Sequence, residues 1–182
     1  MPVGTPASES GLTTDYGFLT LPMPTLPQLL EEDIQGLDSA LMDLIAKSEA
    51  DAALVIDKGG FLLTKSGAVD RFDSTTLGAL AAGAFAATQG VANLIGETDF
   101  NCVYQQGENF SVLVSNVDEQ ALLLVVFKAS VSAGAVKYYA ASAITRIADQ
   151  LRTARQWAPD QGLDLSALNL PDTSEIFRKR QG

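Results

Sequence analysis

The chain has 182 residues, 22 of them acidic and 12 basic, for a net charge of −10, and 47% are hydrophobic. Those figures suit one folded domain with tails and exclude nucleic acid as the main partner, because phosphate backbones require a basic surface. Histidine is absent and Cys102 is the single cysteine. This removes the commonest general base, the Ser-His and Cys-His nucleophile pairs, most zinc sites and any disulfide framework, so no catalytic residue, metal or cofactor is expected.

Residues 1–27 hold five of the seven prolines (Pro2, Pro6, Pro22, Pro24 and Pro27) among Gly, Ser and Thr, and read as an extended leader. No basic residue precedes Lys47, so the leader is not a signal peptide, and a cytoplasmic protein is expected. Within it, Tyr16-Gly17-Phe18-Leu19 is a candidate linear docking motif. Residues 28–48 place Leu30, Ile34, Leu37, Leu41, Leu44 and Ile45 on one helical face, with acids gathered at the N-terminal end where the helix dipole favours them. The runs 52–57 and 61–67 flank Lys58-Gly59-Gly60 and predict a β-hairpin. That turn is no phosphate loop, since it lacks the GK[ST] ending and leads into a strand.

The stretch 74–96 has no proline and no charge, and Asp73 or Ser74 supplies an oxygen to cap it as a helix. Its composition is that of a poor membrane span: Ala, Gly and Thr dominate, Gln89 and Asn93 are polar, and the flanks are Asp73 and Glu97 rather than basic clusters. Leu77, Leu80, Ala81, Ala84, Thr88, Val91 and Ile95 recur at three- and four-residue steps, predicting the face buried on the sheet. Ala79, Gly83, Ala86 and Gly90 form a second, small-residue face that would let an identical helix approach closely. Buried glycines in a helix cost about 1 kcal/mol each, and a close helix pair would offset that cost. What then remains outward is Gly78, Ala82, Phe85, Gln89 and Asn93, with Phe85 as a candidate aromatic anchor for a partner. The alternative is that Phe85 folds into the dimer seam.

Three strands are predicted over 100–105, 110–115 and 121–128. The last is apolar at nearly every position, as a strand covered on both faces requires. Asn101, Val103 and Gln105 share one side of the first, which suits a sheet edge, exposed or paired with a second copy. Cys102 lies with Phe100 and Tyr104 on the other side and reads as core packing. A final helix spans about 132–156, and Trp157-Ala158-Pro159 ends it. Residues 158–182 form an extension that carries Phe177-Arg178-Lys179-Arg180, the one dense positive run, suited to contact with an acidic partner.

The order α-β-β-α-β-β-β-α resembles the roadblock / dynein light chain family over residues 30–155. The resemblance is carried by Ala53-Leu54-Val55-Ile56-Asp57-Lys58-Gly59-Gly60, by Thr64-Lys65-Ser66-Gly67 and by the Ala/Gly-rich helix that follows. It implies a mixed α/β (α+β) fold, a roadblock/profilin-like five-stranded antiparallel sheet sandwiched between helices, over 28–157. It also implies a homodimer through the long helix and third strand, Ala79, Gly83, Ala86, Gly90, Asn101 and Val103 being the positions for it. Bacterial members, the gliding-motility polarity type among them, look like regulators of small Ras-like GTPases, with the paired long helices as the platform on which the GTPase sits. By the same resemblance the chain is a non-enzymatic regulator or scaffold. The other reading is a ligand-sensing module of the profilin, PAS or GAF type, which requires a pocket between sheet and helix.

Overall fold

The computed structural model describes residues 29–157, so the leader 1–27, with Tyr16 to Leu19, and the extension 158–182 lie outside the described residues. Helix α1 spans Glu31–Ser48 and opens on three acids, Glu31, Glu32 and Asp33. The Asp33 carboxylate reaches back to accept the Leu30 N–H at 2.9 Å, which answers one of the donors a helix start leaves unpaired. Its other oxygen accepts from Gln150 at 2.9 Å, tying α1 to the last helix. Strands β1 (Ala52–Asp57) and β2 (Leu62–Gly67) form the predicted hairpin, with a bulge between Val55 and Ile56. Gly60 turns it at φ +91°, a left-handed conformation that glycine adopts without steric cost, and the Asp57 carboxylate accepts the Phe61 N–H at 2.7 Å.

A short 3₁₀ turn over Val69–Arg71 leads to α2, Ser74–Ile95. Asp73 is its cap, accepting the N–H groups of Thr75 at 3.0 Å and Thr76 at 3.3 Å. Gly96, at φ +77°, closes the other end. Strands β3 (Cys102–Gln106), β4 (Phe110–Asn116) and β5 (Ala121–Lys128) follow, then α3 (Ala133–Trp157). β1 and β5 have the expected bounds, and the other elements differ by at most three residues at an end, as element ends commonly do.

All strand pairs are antiparallel and the sheet order is β2-β1-β5-β4-β3. The central strand is β5, buried from Ala121 through Phe127, because its alternate residues enter two separate cores. On one face Leu123, Val125 and Phe127 meet Leu37, Leu41 and Leu44 of α1 with Val136, Ile147 and Leu151 of α3. On the other, Leu122 and Leu124 meet Ala81, Ala82 and Phe85 of α2. Each large side chain buried this way contributes about 1.5–3 kcal/mol, so the two-sided strand anchors both layers. β2 and β3 are the sheet edges, and β3 is where an edge was expected.

Candidate functional site

The long helix α2 carries no charge around its whole circumference, yet the sheet covers only part of it. The residues it buries are Ser74, Gly78, Ala81, Ala82, Phe85 and Ala92. Small side chains at 78, 81 and 82 bring the helix axis close to the hairpin. A Cβ added at Gly78 would stand 3.1 Å from the Gly60 carbonyl oxygen and 3.2 Å from Ile56 Cγ2, and one at Gly60 would stand 2.6 Å from Ala79 Cα. Phe85, 3% exposed, fills the widening gap between helix and sheet further along.

This orientation corrects the sequence expectation. Of the seven positions assigned to the sheet face, Ala81 is buried, and Leu77, Ala84 and Thr88 are half-buried. Leu80, Val91 and Ile95 are 68%, 49% and 67% exposed, and Leu94 is 87% exposed. The helix is rotated about its axis by roughly one residue step, ~100°, relative to the expected face. Periodicity selects the face with the largest apolar side chains. Here the close approach of the Gly60 turn requires the smallest ones. Gly78, Ala82 and Phe85, expected to face a partner, therefore face the sheet, and Phe85 is neither a surface anchor nor a seam residue.

The remaining two positions of that expected partner face have separate fates. Gln89 is half-buried and clamps the loop before β3, its amide donating to the Phe100 carbonyl at 2.9 Å and its Oε1 accepting the Phe100 N–H at 3.2 Å. Asn93 is exposed. The small-residue positions Ala79, Gly83, Ala86 and Gly90 are all exposed, and a Cβ added at Gly83 or Gly90 meets nothing within 4 Å. On β3, Asn101 just precedes the strand and is exposed, whereas Val103 leans inward onto the α2-side core. Cys102 is half-buried against the other core, as packing predicts.

Together, Leu80, Val91, Leu94 and Ile95 beside Ala79, Gly83, Ala86 and Gly90 make one apolar surface along α2. Sequence reading missed the first four as surface residues because it placed three of them on the sheet. The signal available was quantity: a helix with more large apolar residues than one face can bury must show some of them elsewhere. By length and composition α2 is the one described helix apolar enough to cross a membrane, and it lies against the sheet of a folded domain.

Charge is placed at the two ends of this surface, at Asp73 and Glu97, and not along it. The Asp73 carboxyl is held below its usual range, first by the Thr76 hydroxyl donating at 2.6 Å and then by the Thr76 and Thr75 amides. On the opposite layer Asp43 is also lowered, chiefly by its hydrogen bond from Lys47 at 2.8 Å, with Arg146 adding its charge.

The match to the Roadblock/LC7 domain covers residues 37–127. Among solved structures, the gliding protein MglB of Thermus thermophilus is 31% identical, with 72% of this chain and 98% of that one aligned at a TM-score of 0.65. An MglB with a tetrameric arrangement is likewise 31% identical over 72% of this chain and 98% of that one, at a TM-score of 0.67. Myxococcus xanthus MglB is 27% identical, with 69% of this chain and 95% of that one aligned at 0.65. No match is found among curated proteins. The mixed fold, its five-stranded antiparallel sheet and the matched span agree: the chain belongs to the Roadblock/LC7 family.

Proposed function

We propose that this protein is a cytoplasmic, non-enzymatic homodimeric regulator or scaffold of a small Ras-like GTPase. Two copies pair along α2 and the β3 edge, and the paired helices form the platform for the GTPase. The observation that carries this reading is the outer face of α2. A folded domain with Leu80, Leu94 and Ile95 more than 60% exposed on one helix, next to four small residues, leaves an apolar surface that water disfavours. The small residues permit close helix contact, and the flanking leucines supply the area to bury. The open edge of β3 offers unpaired backbone groups to the same second copy. The MglB likeness supports self-assembly, one such protein having a tetrameric arrangement. It supports the GTPase reading through the family resemblance.

The dimer positions are therefore Ala79, Gly83, Ala86 and Gly90 with Leu80 and Leu94, extended by Asn101 and the β3 backbone. The platform contributes no catalytic group, and its effect on a GTPase is exerted by holding the partner's own loops. Light scattering of the full chain tests the first half and should give twice 19.2 kDa. A monomer at micromolar concentration would remove the platform. Titration of a Ras-like GTPase encoded beside this chain, loaded with GTP or GDP, tests the second half. Binding that differs between the two nucleotides supports regulation, and binding to neither refutes it.

A further inference from the structure

At the end of the sheet where the β1–β2 turn, the β4–β5 turn and the loop before β3 converge, α2 overhangs a cleft of about 540 Å³. Phe85, Phe100 and Leu122 give it an apolar lining, and Asp99 and Glu119 stand exposed at its rim opposite Lys58. Asn116 also lines it, and its side-chain oxygen is buried with no hydrogen-bond partner among the described residues. The β4–β5 turn is built around Asp118, which accepts the N–H groups of Gln120 at 2.8 Å and Ala121 at 2.9 Å. The same carboxylate pairs with Arg155, in the last turns of α3. The described chain thus ends at the same end of the sheet as this cleft, on the opposite face, and 158–182 follow.

We infer that the cleft is the docking site for the chain's own C-terminal segment, with Ile176 and Phe177 on the apolar lining and Arg178, Lys179 and Arg180 against Asp99 and Glu119. Three considerations select this occupant. The chain leaves α3 on the α1 face at the end of the sheet that bears the cleft, Arg155 being bonded to the turn that walls it, and the run from Trp157 to Phe177 can span about 65 Å when extended, enough to pass around that end. Three of the chain's 12 basic residues are consecutive at 178–180, which matches a rim whose exposed acids outnumber its one exposed lysine. A segment bearing backbone and guanidinium donors also supplies what the Asn116 oxygen lacks. The cleft includes Ala86, so a docked segment would lie along one edge of the outer α2 surface. This inference does not depend on the GTPase, and its test uses none.

The experiment places a photoreactive benzoylphenylalanine at Phe177 in the full chain and maps cross-links by mass spectrometry. Cross-links to the segments containing Phe100, Asn116 and Glu119, formed within one chain, are the expected result. Replacing Arg178, Lys179 and Arg180 by Glu should cut their yield severalfold. Adding Asp99→Lys and Glu119→Lys to that variant should restore it, since both positions are exposed and reversal there leaves the core intact. High salt should weaken the cross-links, because charges ~10 Å apart are screened at 0.1 M. Mixing isotopically heavy and light chains separates contacts within a chain from contacts between copies. Cross-links elsewhere, cross-links only between heavy and light chains, or a yield indifferent to both charge reversals would each overturn the inference.

Discussion

On one face of the sheet α1 and α3 lie side by side over a single core, and their outer surfaces are joined by Asp43 with Lys47 and Arg146. Those two helices leave two large apolar side chains exposed between them, Met42 and Tyr138. On the other face α2 lies alone, carries no charge and exposes four, Leu80, Val91, Leu94 and Ile95. The first layer is finished within the described residues, whereas the second has an inner face that meets the sheet and an outer face that meets no other described residue. The difference shows where the molecule expects company. Surface charge completes a layer that water is to cover, and its absence along a whole helix marks a layer that protein is to cover.

The inner and outer faces of α2 should therefore respond to mutation in opposite ways. Phe85→Ala has the largest expected effect, a loss of about 3–5 kcal/mol in unfolding free energy, as for other buried Phe truncations. Denaturant titration measures it, and a near-neutral result would return Phe85 to the surface. Gly60→Ala follows at about 2–3 kcal/mol, because a Cβ there strikes the Ala79 backbone and the left-handed φ disfavours alanine. Gly83→Leu should leave the unfolding of the single chain no worse, since open space surrounds that position. It should weaken self-association by tenfold or more, about 1.4 kcal/mol, by wedging the helices apart. Sedimentation over a concentration series separates the two effects. Loss of folded protein in Gly83→Leu, with association unchanged, would break the comparison between the faces.

Much of this fold was legible in the sequence, for reasons that hold element by element. The hairpin was marked by Lys58-Gly59-Gly60 between apolar runs, and β5 by apolar residues too many for one face. α1 and α3 showed clean stripes because each has one wet side. α2 did not, because both of its faces are apolar and periodicity cannot rank two apolar faces. What decides between them is a non-local steric fact, the approach of Gly60 to Gly78 and Ala79, which no local window contains. The four small residues Ala79, Gly83, Ala86 and Gly90 are exposed while the equally small Gly78, Ala81 and Ala82 are buried, so smallness alone does not tell the two faces apart. Phe85 was misplaced by the same quarter turn that hid Leu80, Val91 and Ile95. The cleft had no linear signature, because its walls come from four separated segments.

The smallest effect expected concerns how the charges of the two layers are held. Asp73 and Asp43 both have carboxyls lowered from their usual range, so in both cases the folded state favours the charged form. The sign follows from linkage: each contribution is fully present above the unfolded-state pKa, ~3.9, and is lost as pH falls through the lower folded value. The causes differ. Asp73 is lowered chiefly by hydroxyl and amide hydrogen bonds at the start of α2, with the Lys65 charge as the smallest contribution, whereas Asp43 is lowered by Lys47 and Arg146, both exposed cations. Salt screens exposed charge pairs and barely touches a short hydrogen bond from an uncharged donor. Carboxyl titration by NMR at low and at ~1 M salt, where the screening length is about 3 Å, should thus return Asp43 toward its ordinary value and leave Asp73 depressed. Asp73→Asn keeps an acceptor for the Thr75 and Thr76 amides, so it should remove the acid-dependent part of the α2 contribution while changing stability little at neutral pH. An Asp73 that relaxes with salt as far as Asp43 would mean the cap is held by charge, and the contrast between an uncharged layer and a charge-finished one would fail at its capping residue.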